Sequence, residues 1–206
     1  MSDSFTDIFG GSVKNMMSEI HTAVPAEVVS FDAQKRKVSV RPTVREKSAK
    51  GFVESPTVHE VPVQYPASSN AGVTFPLSKG DTGILIFSQA DIEAWCQRGG
   101  LQNPSSERKW DLTDAMFIPG LFAFSESDPE VESNKLVVRY GNAKIKIGTK
   151  VTIEAGGQSM AGLIGDLFTA LSSAATTGSP CAQVLNPATI TQLNALKAQF
   201  ALLLEG

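Results

Sequence analysis

LVVRYGNAKIKIGTKVTIEAGG, residues 136–157, reads as three short blocks, each closed by glycine. Within them apolar and polar residues alternate: Ala143, Ile145 and Ile147 stand against Lys144 and Lys146, and Val151 and Ile153 continue the pattern. Alternation at period two makes each block a strand with one apolar and one wet face. So small a sheet is marginal in water on its own, and helical sequence follows it. Its apolar face must therefore be pooled with others, and copies of the chain winding round a common axis would do this. The expectation is a symmetric, elongated structural protein. Ile145, Ile147, Val151 and Ile153 are its stalk interface.

The bulk properties agree. The 206 residues suit one ordinary domain with appendages, and a hydrophobic share of 42% supports a folded core. Charged residues make up only 19%, as expected where surface is buried against partners. The net charge of −3 argues against nucleic acid as the main ligand, which needs a basic footprint to displace counterions. Cys96 and Cys181 stand in unrelated contexts, so no disulfide framework is expected and folding in a reducing cytoplasm fits. Met1 to Asp7 has no basic run before an apolar one, so no signal peptide is read there. Met160 to Ala175 carries Asp166 and is too short and polar to span a bilayer.

Outward from the ladder, the chain divides into five parts. Residues 1–22 carry Phe5, Ile8, Phe9, Val13, Met16 and Ile20 at helical spacing, interrupted by Gly10 and Gly11. That helix either packs on its own domain or docks as an arm on a partner. Residues 23–124 hold short strands: 26–31 and 37–41 around a turn at Asp32, then 57–64, 73–75, 83–87 and a region at 116–124 broken by Pro119 and Gly120. Ile92 to Cys96 reads as a helical turn with Asp91 as its N-cap. So many short strands and turns indicate a small antiparallel barrel, of the five-stranded OB type. Residues 125–135 are an acidic linker. Residues 136–157 are the ladder, a short intertwined trimeric β-helix or β-prism. Residues 158–206 form two helices, one with Met160, Leu163, Leu167 and Leu171 on a face, the other with Ile190, Leu193, Leu196, Phe200 and Leu204. Asn186 caps the second, and Pro187 opens it. The fold class is mainly β with helices at both ends.

Catalytic chemistry finds no purchase. His21 and His59 are far apart, and no Cys-x-x-Cys or His-x-His spacing offers a metal site. Asp81 follows Gly80 in a turn, where aspartate bonds the local backbone. Lys35, Arg36 and Lys37 read as a solvated hairpin tip. No enzyme activity, cofactor or metal is expected.

PAEVVSFDAQKRKVSVRP (25–42), VPVQYP (61–66) and FPLSKGDTGILIFSQADIEAW (75–95) together resemble the N-terminal OB domain of central baseplate spike proteins from contractile-tailed bacteriophages. The resemblance covers Ala23 to Phe124, about half the chain, and the ladder extends it in kind. It implies a homotrimer in the virion tail baseplate, made in the host cytoplasm. The barrels would sit on a tail hub protein, with the helix bearing Phe5 to Ile20 as a docking candidate, and the spike would meet the host outer membrane transiently. This chain departs from the pattern: its ladder is short, lacks the histidines of an iron-binding tip, and gives way to helices. The resemblance therefore implies a spike base, with a possible separate tip protein at the C-terminus. Two rival readings are an OB module binding single-stranded nucleic acid, with Phe31, Phe75 and Phe87 as stacking candidates, and a tail-associated cell-wall hydrolase.

Overall fold

The computed structural model describes residues 5–18, 20–48, 51–125, 130–176 and 183–203. It divides into two units, Met1–Ser127 and Asp128–Gly206.

The first unit opens with α1 (Phe5–Ser18), which runs unbroken through Gly10 and Gly11. Seven strands follow: β1 (Ala23–Asp32), β2 (Lys37–Pro42), β3 (Glu46–Ser48), β4 (Gly51–Val53), β5 (Val58–Pro62), β6 (Thr82–Phe87) and β7 (Ala115–Pro119), with α2 (Glu93–Arg98) between the last two. Five of them form one sheet in the order β5-β2-β1-β6-β7. Its two edges then meet. Val63 bridges Phe117 in parallel, and the Gln64 N–H donates to the Phe117 carbonyl at 2.9 Å. This order and parallel closure make the small Greek-key barrel expected of the strand pattern.

Two bulges let a short chain fill the interior. The β1–β2 register shifts between Val28 and Ser30, so Val28 and Phe31, three residues apart, both pack on the core. Between β2 and β5, Val58 and Val61 oppose Val40 and Val38, again three residues against two. The extra residue is accommodated with Glu60 at φ 58, its carboxylate 2.9 Å from the Lys37 ammonium. Val28, Val38, Val40, Leu85 and Phe117 are fully enclosed. Gly83 lies against Phe117 so closely that a Cβ there would sit 2.5 Å from the ring and from the Ile118 carbonyl oxygen. Only glycine fits this strand position.

One expected strand is absent. Residues 73–75 join no ladder; the segment is held by the Tyr65 hydroxyl, which donates to the Phe75 carbonyl at 2.9 Å, and by an edge-on contact of the two rings. The last barrel strand stops at Pro119, at the break expected at Pro119 and Gly120, because Gly120 turns at φ 100. The β3–β4 hairpin was not foreseen, since its short exposed strands show no alternation.

The second unit comprises β8 (Leu136–Tyr140), β9 (Ala143–Ile147), β10 (Val151–Ala155), β11 (Gln158–Ser159), α3 (Met160–Ser172), β12 (Ala175–Thr176), β13 (Gln183–Val184) and α4 (Pro187–Leu203). The first four make an antiparallel meander, ordered β11-β10-β9-β8, whose ladder runs within one chain. Gly156 and Gly157, at φ 58 and 80, form the two-residue turn that brings β11 back on β10. The Ser159 hydroxyl then accepts the Gly162 N–H at 3.0 Å and starts α3. At α4 the Asn186 side chain accepts the Ala188 N–H at 2.9 Å, ahead of Pro187 at the first helical position. The two helices pack through Phe168 and Phe200, with the Lys197 ammonium donating to the Thr169 hydroxyl.

Candidate assembly interface

In the meander, register puts the apolar residues in rows. Leu136, Ile147 and Val151 align across three strands, and so do Val138, Ile145 and Ile153. Tyr140 extends the face at the end of β8. This face is open: Leu136, Val138, Tyr140, Ile145, Ile147 and Ile153 are 38–73% exposed. Val151 is half-buried.

The opposite face is the covered one. Lys144 and Lys146 point there, and the preceding acidic segment folds over them. The Glu130 carboxylate lies 2.6 Å from the Lys144 ammonium and 3.4 Å from that of Lys146; Glu132 lies 2.8 Å from Lys146. The Lys144 hydrogen bond holds the Glu130 carboxyl below the usual glutamate range, while Glu132 holds the Lys146 ammonium above the usual lysine range. Among the described residues of this unit Thr152, on this face, is the one buried side chain. So the second unit has charge paired on its inside and apolar surface on its outside. A monomer would be arranged the other way.

The helices repeat the theme. Met160, Leu163, Leu167 and Leu171 are 41–57% exposed. Ile190 and Leu193 are half-buried, whereas Leu196 and Phe200 are exposed. Leu204 lies outside the described residues. On α1, Phe9, Val13 and Met16 are exposed, as is Ile20 just beyond it. The side chains of Phe5 and Ile8 lie outside the described residues.

Strand alternation alone would have added Leu136, Val138 and Tyr140 to the interface, since LVVRY places them on one side. The Glu130 and Glu132 clasp was missed because the segment carries only the composition of a linker, and its partners lie more than ten residues on.

The barrel carries a cleft of about 640 Å³ on β2, β5 and α2, lined by Lys37, His59, Glu60, Trp95, Cys96 and Arg108 among others. Arg108 there holds two loop carboxylates. Arg108 donates from Nε to Asp114 at 3.1 Å and lies 3.5 Å from Asp91, both carboxylates being buried. Asp91 accepts the Glu93 N–H at 2.9 Å, which keeps its carboxyl below the ordinary range; Ile92, not Asp91, is the N-cap residue of α2. The aromatic residues are also occupied: Phe87 is buried in the core, Phe31 packs against it, and Phe75 stands on Tyr65.

The residues matched by a known family are those of the barrel, from its first strand to the end of its last. Residues 24–120 match the family model of the phage protein Gp138 N-terminal domain. The barrel is similar to that phage domain. The match supports a phage structural protein and stops short of the second unit. No curated protein matches the chain. Among the described residues, no helix is long and apolar enough to cross a membrane.

Proposed function

We propose that this chain is a trimeric, non-enzymatic component of a contractile-tail baseplate, a spike base joining the tail-tube hub to the membrane-piercing tip. The observation that carries the proposal is the inverted second unit, which lacks a buried apolar side chain among its described residues and leaves one whole sheet face apolar and open. Three such sheets, packed face to face about an axis as a prism, would cover that surface. Closed rotational symmetry does this with identical contacts and leaves no open patch. The similarity of the barrel to the phage protein Gp138 N-terminal domain supports a phage setting, and we assign hub contact to the barrel unit. The open apolar residues of α1 and Ile20 are the surface we assign to hub docking. The load path is mechanical, with backbone ladders of three chains sharing axial force and the helical hairpins carrying the tip.

Light scattering on the purified full chain tests this reading. Three times the 21.9 kDa chain mass is expected. A stable single-chain mass with intact β-structure overturns it. The occupied aromatic residues and the acidic balance disfavour the nucleic-acid alternative, for which tight, salt-sensitive binding of single-stranded oligonucleotide would be the sign.

A further inference from the structure

We infer that α3 is the inner helix of the assembled C-terminus and α4 the outer one, so that three helical hairpins form a six-helix bundle on the stalk axis. The inference rests on the trimeric reading above and adds the arrangement of the helices to it.

The two helices are not equivalent. On α4 one seam is apolar: Ile190 and Leu193 are half-buried and Phe200 meets Phe168 of α3. Its back carries Thr191, Gln192 and Gln199, all exposed, and Leu196 stands at the edge of the seam. α4 thus has Ile190 and Leu193 half-buried, Leu196 and Phe200 exposed at 44% and 39%, and polar residues on its back. α3 has two apolar strips instead. Ile164 and Phe168 lie on the α4 side and are half-buried. Beside them Met160, Leu163, Leu167 and Leu171 form a second strip at spacings of three, four and four, and among the described residues it stays 41–57% exposed. Asp166 is the one charged residue of α3.

A strip with that spacing is the seam of a helix packing on parallel copies of itself. The occupant is a second and third copy of this chain, for two reasons. α3 follows the meander with no intervening loop, since β11 ends at Ser159 and the helix starts at Met160. The strip therefore continues, in chain and in character, the apolar sheet face assigned to the axis. It also lacks any charge that would select a foreign partner.

Cross-linking of the full chain tests the arrangement. In a background with Cys96→Ser and Cys181→Ser, single cysteines are placed by Leu167→Cys, Leu163→Cys or Gln192→Cys, and treated with a short bismaleimide. Both α3 variants should give covalently joined chains, and Gln192→Cys should stay single under the same conditions. Because a cysteine in the seam could loosen the bundle, two α3 positions are used and each variant is weighed by light scattering first. A covalent dimer joined through Gln192→Cys, or no joining through either α3 position, overturns the inner-helix assignment and leaves the trimer standing. A monomeric parent protein overturns both.

Discussion

Replacing Ile145 by lysine places a charge at the centre of the proposed prism. Ile145 lies in the middle row of the sheet face, between Val138 and Ile153, and is 41% exposed in the single chain. Full burial of such a side chain is worth roughly 1.5–3 kcal/mol. The open share of Ile145 then contributes about 0.6–1.2 kcal/mol per chain, about 2–4 kcal/mol over three copies. Converging ammonium groups add to this loss, so Ile145→Lys should weaken association by at least roughly thirty-fold. Sedimentation across a concentration series should show the variant dissociating where the parent stays trimeric. The barrel, a separate unit, should keep its own unfolding transition. Lys144→Gln on the opposite face is the control and should leave the mass unchanged. A trimer of Ile145→Lys as tight as the parent would refute the argument, because the open face would then lie outside the interface.

Phe117→Ala should lower barrel stability by about 3–5 kcal/mol in urea unfolding, since Phe117 is fully enclosed in the core. Gly83→Ala should cost about 1–3 kcal/mol through overpacking against Phe117 and the Ile118 carbonyl; an unchanged midpoint would mean that β6 and β7 are less tightly apposed. The Glu130 clasp should respond to acid. A carboxyl held low stabilises the fold above the ordinary glutamate value of 4.5, and the contribution is lost as pH falls through the lowered value. Lys146, held high, contributes below the ordinary lysine value of 10.5 and loses its effect as pH rises past the raised one. An NMR titration should place the Glu130 midpoint lower in the parent than in Lys144→Met, and equal midpoints would sink the clasp. Asp114→Ala should destabilise the segment around α2 by about 1–3 kcal/mol, because it removes the acceptor of the part-buried Ile92 N–H and one of the two carboxylates beside Arg108; hydrogen exchange at residues 92–98 would read it.

What the amino-acid sequence determined by itself is local in origin. Period-two alternation set the strands at 136–157, and paired glycines at 156 and 157 set a turn that other residues resist. Asn186 and Pro187 marked the start of α4 through bonds made within a few residues. The barrel strands were legible for the same reason, and so was the mismatch between an apolar ladder and the small sheet available to bury it. Tertiary structure decided whatever depends on residues far apart in the chain. The bulges at Val28–Ser30 and at Glu60 shift which side chains face inward, so simple alternation misreads Phe31 and Val61. The parallel contact of Val63 with Phe117 that closes the barrel joins residues more than fifty positions apart. Composition made Glu130 and Glu132 a linker, and only the folded sheet brought Lys144 and Lys146 beneath them. The two apolar strips of α3 look like one broad helical pattern until α4 occupies one of them and leaves the other open. Hydrophobic periodicity states that a face must be buried; which surface buries it is settled by three-dimensional contact.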